Sequence, residues 1–125
     1  MNREKLRKKE KPIVAAGIDC SREDLSGEDF SGANFSRGNF YYANCSSTSF
    51  SGAYLYKAHF HRANLSNANL SNAYLFGATL EEADLTNVDF TNANLSGADL
   101  TGAKIEGARF TGANLANAIG LKKGK

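Results

Sequence analysis

No stretch of this chain stays apolar long enough to cross a membrane, and Ile13 to Ile18 is too short for the apolar part of a secretory signal. The cytoplasm is the default location. Cysteine is scarce, with only Cys20 and Cys45, and no set of convergent ligands accompanies them. A disulfide framework and a metal centre are both unexpected, and the two thiols read as small buried hydrophobes. Missing too are a nucleophile with a base and an orienting acid, and any phosphate-binding loop. The chain reads as no enzyme and as needing no cofactor. Strong charge of one sign is also absent, since the 125 residues carry a net charge of +2.

What is present is a five-residue repeat. From Ala93 to Asn117 it is repeated five times, as in Ala93-Asn94-Leu95-Ser96-Gly97 and Ala98-Asp99-Leu100-Thr101-Gly102. Taking the third residue as the centre, the register extends without a gap from Cys20 to Leu115, which makes twenty units. The centre is Leu ten times, Phe seven, Cys twice and Ile once, and the residue two before it is Ala fourteen times. These two positions form the interior. The residue between them is Asn or Asp in thirteen units, the one after the centre is Ser or Thr in thirteen, and the last is Gly or Asn in thirteen. These three form the surface.

A five-residue period excludes regular elements. On a helix turning about 100° per residue, apolar positions five apart spiral round the surface and leave no buried stripe. On a straight strand an odd period sends successive apolar pairs to opposite faces. The chain must therefore turn once per unit, with Gly or Asn at a corner that tolerates positive φ. Coils then stack at about 4.8 Å. At twenty residues per coil Phe30, Phe50, Phe90 and Phe110 share one column, interrupted by Leu70, while Tyr54 lies under Tyr74 and Tyr56 under Phe76. Four sides follow.

These residues resemble the pentapeptide-repeat family, whose pattern A-[D/N]-L-x-x covers about four fifths of the chain. The resemblance implies an all-β fold, a right-handed quadrilateral β-helix of about five coils of twenty residues, with Ala where nothing larger fits. The expected organisation is a basic N-terminal tail and cap over 1–17, the β-helix over 18–117 and a basic C-terminal tail over 118–125.

Charge divides along those boundaries. Residues 1–17 carry six basic and two acidic side chains, the repeats six and eleven, and the last segment three lysines. A mildly acidic rod is flanked by basic ends. Met1 to Lys11 reads as a frayed helix or as disorder, ended by Pro12, and Ile13 to Ala16 as a cap over the first coil. Glu23 and Glu28 stand where Ala normally points inward, which is tolerable only if they leave through the open end or pair with the basic tail. At the other end Ile119 and Leu121 either fold over the last coil or meet a second copy. The resemblance implies the latter, a homodimer through the C-terminal ends.

Two adjacent walls, carrying centres 35, 55, 75 and 40, 60, 80, collect Tyr41, Tyr42, Tyr54, Tyr56, Lys57, His59, His61, Arg62, Tyr74 and Phe76, with Glu81 and Glu82. The other two walls are mostly Asn, Asp, Ser, Thr and Gly. All five tyrosines lie on the patch, and exposed aromatics edged by Arg and Lys are enriched at protein interfaces. The bland alternative is stacking for the stability of the β-surface itself. His59 and His61 share a segment with Glu81 expected above His61, but they lack a third ligand, and no metal is expected.

The expected function is a non-enzymatic scaffold or binding module that engages a protein partner through the aromatic patch. The alternative, implied by the resemblance, is a DNA-mimicking inhibitor of DNA gyrase of the quinolone-resistance type. The chain departs from that pattern in its short rod, its charge of only −5 and its scattered acids. Direct binding of nucleic acid is not expected, since it would rest on short Lys-rich ends alone.

Overall fold

A computed structural model describes residues 3–121. Each unit contributes one bridging residue, the one before the centre, and every bridge is parallel and joins residues twenty apart: Asn34 with Tyr54, Tyr54 with Tyr74, Asp84 with Lys104. One turn per unit and four units per coil make a quadrilateral β-helix, as the Phe column predicts. Backbone groups bond both up and down the stack. The Phe35 N–H donates to the Tyr54 carbonyl at 2.8 Å, and the Asn34 N–H to the Ile13 carbonyl at 2.7 Å.

Each corner is a tight turn. The Gly38 N–H donates to the Phe35 carbonyl at 2.8 Å, and Arg37 between them has φ 61°. Positive φ at that third turn residue is what a type II turn requires. The preceding Asn or Asp locks the turn, because its Oδ1 accepts the N–H two residues on: Asn34 from Ser36 at 3.1 Å, Asp84 from Thr86 at 3.1 Å. The Thr86 hydroxyl adds a bond to the same oxygen at 2.6 Å, and the Thr91 hydroxyl bonds Asp89 at 2.5 Å. Those hydroxyls hold both carboxyls below the usual carboxylate range. The Asn/Asp and Ser/Thr preferences are thus turn chemistry.

The centres fill the interior. Phe50 meets Phe30, Phe35, Phe40 and Phe60 with ring centroids 5.8 to 6.3 Å apart, and Phe40 stacks on Phe60 at 4.8 Å. Little space is left beside them. At Gly38 an added β-carbon would lie 2.9 Å from the Phe40 ring and 2.8 Å from the Phe35 carbonyl oxygen, which explains a departure from Ala toward something smaller. Cys20 and Cys45 are fully buried free thiols, and burial pushes Cys20 up to about 11 and raises Cys45 further. Neither is a thiolate at neutral pH.

Both expected boundaries shift outward. Ile13 to Ala16 is not a cap but an earlier unit of the coil, for Val14 bridges Asn34 and Ile13 points inward, fully buried. The cap is instead the short helix α1, Arg3–Arg7, whose Leu6 is wholly buried in the core. Glu28 pairs with the tail: its Oε2 lies 2.6 Å from Arg3 Nε and 3.4 Å from Arg7 Nε. Arg3 also reaches Asp24 and the Ser26 carbonyl, and Lys11 donates to the Asp29 carbonyl. The charged tail is tied across the first coil. At the far end Ile119 continues the ladder by bridging Asp99, so the coil runs past 117. The three terminal lysines, Lys122, Lys123 and Lys125, lie outside the described residues. No helix among the described residues is long and apolar enough to cross a membrane.

Candidate interaction surface

The corner after each centre has two outward positions, and the second of them has positive φ in every unit of the stack. For an ordinary side chain that conformation costs roughly 1–2 kcal/mol, whereas Gly and Asn adopt it readily. Seven units nonetheless use something else: Arg22, Arg37, Tyr42, Ser47, Lys57, Arg62 and Glu82, with φ between 54° and 62°. Six of the seven stand on two adjacent corners. Nothing in the structure explains Ser47.

One corner, read up the axis, is Arg22, Tyr42, Arg62, Glu82 and Gly102. The Arg22 Cζ sits 4.7 Å from the Tyr42 ring centroid, and the Arg62 Cζ sits 6.0 Å from it on the other side. Arg62 also donates to the Tyr42 hydroxyl at 3.3 Å and pairs with Glu82 at 2.5 Å. The neighbouring corner stacks Arg37, Lys57 and Gly77. Arg37 and Lys57 both lie over the Tyr56 ring, at 5.6 and 5.5 Å. Lys57 leans up the axis across Gly77, where an added β-carbon would lie 3.3 Å from its Cγ.

The aromatics form ladders as the twenty-residue register predicts. Tyr54 stacks on Tyr74 at 4.7 Å and 5°, Tyr56 on Phe76 at 5.4 Å and 7°, and Tyr41 on His61 at 5.4 Å and 7°. Tyr42 packs edge-on against Tyr41. Tyr54, Tyr74 and Phe76 remain 43–47% exposed, which leaves their outer edges to solvent. His59 is exposed, with Nδ1 3.3 Å from the Thr79 hydroxyl. Between the His59 and His61 columns runs a shallow groove of about 410 Å³, lined by Asn39, Tyr41, His59, His61, Thr79 and Glu81. No three of His, Cys, Asp or Glu converge as metal ligands among the described residues.

All ten residues singled out from the sequence therefore stand on these two walls. Two cations were missed. Arg22 and Arg37 cover the tyrosine rings from below, and the signal for both was in the sequence: each occupies a final repeat position that thirteen of the twenty units fill with Gly or Asn.

With repeat, coil and corner in place, comparison with known proteins decides the family. The profile described as Pentapeptide repeats matches in eight copies over residues 17–52, 43–81, 53–92 and 93–119. The chain belongs to the pentapeptide repeat family. Its β-helix is accordingly right-handed. Among solved structures it is similar to a pentapeptide repeat protein from the cyanobacterium Cyanothece 51142, at 29% identity over 86% of this chain and 88% of that one, with a TM-score of 0.84. A pentapeptide repeat protein of the Arabidopsis thaliana thylakoid lumen is 44% identical over 72% of this chain and 63% of its own, with a TM-score of 0.71. A third, from Nostoc Pcc 7120, is 22% identical with a TM-score of 0.59 and shares the fold alone. No curated protein sequence matches the chain. A pentapeptide repeat protein in a thylakoid lumen means that the fold by itself does not imply the cytoplasm.

Proposed function

We propose that this pentapeptide repeat protein is a non-enzymatic binding module whose aromatic and cationic corners engage a protein partner. One observation carries the reading: the costly left-handed positions are filled by Arg, Lys, Tyr and Glu on those two corners, and by Gly or Asn almost everywhere else. Backbone strain of this kind collects at functional sites, where the side chain justifies it. The stack supplies rigidity. A ring held in a ladder or a guanidinium held over a ring loses little further freedom on binding. The gyrase-inhibitor alternative has less support, because the repeats carry a net charge of only −5 over 18–117 and their acids are scattered over the walls.

The test is capture of a partner by the wild-type chain and by Tyr56→Ser/Phe76→Ser, followed by measurement of the identified pair with purified proteins. The double variant is expected to keep its circular dichroism and lose the partner by tenfold or more, roughly the worth of a central aromatic anchor. Equal affinity of the two would remove the patch from the account.

We propose a second contact at the C-terminal end, between two copies of the chain. Ile105, Phe110, Leu115 and Leu121 are only partly buried there, and the N–H groups of Phe110 and Leu115 have no backbone acceptor among the described residues. An open coil end of this kind is a template for pairing. Sedimentation is expected to give a dimer for the wild type and a monomer for Leu115→Glu. A monomeric wild type at high concentration would refute the contact.

A further inference from the structure

We propose that the partner presents an acidic segment, whose carboxylates bind the unpaired cations Arg22, Arg37 and Lys57 along the two corners. The proposal rests on the reading of the patch as a protein-binding surface and names the chemistry of what it binds. Four cations stand on these corners, and only Arg62 has a carboxylate partner, Glu82 at 2.5 Å. Arg22, Arg37 and Lys57 form no ion pair among the described residues; each is exposed and sits over a tyrosine ring at 4.7 to 5.6 Å. A guanidinium so placed is oriented before the ligand arrives, and its N–H fork suits a carboxylate.

The rings add to this preference. In a stacked ladder the faces cover one another and the edges point outward, and the edge of an aromatic ring carries positive partial charge. Tyr54 on Tyr74 and Tyr56 on Phe76 therefore present an electropositive margin with tyrosine hydroxyls along it. Both halves of the patch favour an anion. The repeats as a whole are acidic, with eleven carboxylates against six basic side chains over 18–117, and of those six only Lys104 and Arg109 stand off the two corners. An acidic segment is thus steered to the part of the rod surface where three cations cluster without an ion pair among the described residues.

A single-stranded nucleic acid is also anionic, but it gains much of its affinity by stacking bases on free ring faces. One face of each ring in the ladders is already covered by its neighbour, and cations lie over Tyr42 and Tyr56. A phosphate backbone also carries its charge continuously, and three cations on an acidic rod neutralise little of it. The observations favour the peptide.

The experiment measures fluorescence anisotropy of a labelled peptide of alternating Glu and Gly, its Gln counterpart, and an oligothymidylate of equal charge, at low and high salt. The proteins are the wild type and Arg22→Asn/Arg37→Asn/Lys57→Asn, in which every substitution suits the left-handed backbone. The Glu peptide is expected to bind the wild type, to weaken roughly tenfold in the triple variant, and to weaken with salt. The Gln peptide is expected not to bind. Absence of Glu-peptide binding, equal binding by the variant, or tighter binding of oligothymidylate would each overturn the proposal. Partner capture that still depends on Tyr56 and Phe76 would in that event leave the protein-binding reading standing and remove only its acidic chemistry.

Discussion

Phe50→Ala is expected to lower the unfolding free energy by about 3–5 kcal/mol, the cost of removing a fully buried ring whose cavity cannot collapse. The site is the most interlocked in the rod. Phe50 is wholly buried and touches rings from its own coil and from those beside it, Phe30, Phe35, Phe40 and Phe60. The corners pin the backbone at every fifth residue, so the neighbouring walls cannot move in to fill the space. Phe110→Ala is the control, because Phe110 stacks on Phe90 from one side and lies half-open at the end of the stack. Denaturant unfolding followed by circular dichroism checks the pair. Similar losses at both positions would show that stability does not grow inward from the coil ends, against the nearest-neighbour picture of a stack.

Undocking the N-terminal cap is expected to turn a discrete particle into open-ended assemblies. Leu6→Asp places a charge where Leu6 is fully buried, and it releases the helix that Arg3 and Arg7 hold to Glu28. The first coil then presents a bare edge. With the C-terminal ends paired between two copies as proposed above, a second contact between bare first coils links dimers into a chain that does not close on itself. Static light scattering and electron microscopy check the outcome. A Leu6→Asp chain that stays discrete over days would show that the cap contributes stability alone. The same variant carrying Leu115→Glu is expected to remain discrete, because the opposite edge then carries a charge.

The period, the inward and outward positions, the four sides and the ring ladders were legible in the sequence because twenty units repeat the same physical argument. The ends were not. Ala15 is too small to announce itself as a centre, and Ile13 stands in a position where Ala is the rule, so the first unit passed for a cap. Nothing in the spacing of Met1 to Lys11 sets Leu6 apart as a plug, since its burial depends on a single short helix lying over the coil. Glu28 was recognisable as a problem, and the tail supplied the solution through Arg3 and Arg7. On the surface the tyrosines stood out by type, whereas Arg22 and Arg37 stood out only by place. Their significance needed the corner geometry, because a final repeat position is costly for Arg only once its φ is known to be positive.

The most direct test of the account compares the unfolding free energy of Arg22→Asn/Arg37→Asn/Lys57→Asn with that of the wild type, on the same samples used for peptide binding. Relief of the left-handed strain is worth as much as or more than the cation–ring contacts given up, roughly 1–2 against 0.5–1 kcal/mol per site before the small residual cost of Asn. The account predicts a triple variant at least as stable as the wild type that binds the acidic peptide roughly tenfold more weakly. A variant that unfolds more readily while binding is unchanged would contradict it, and would make the corner cations part of the scaffold.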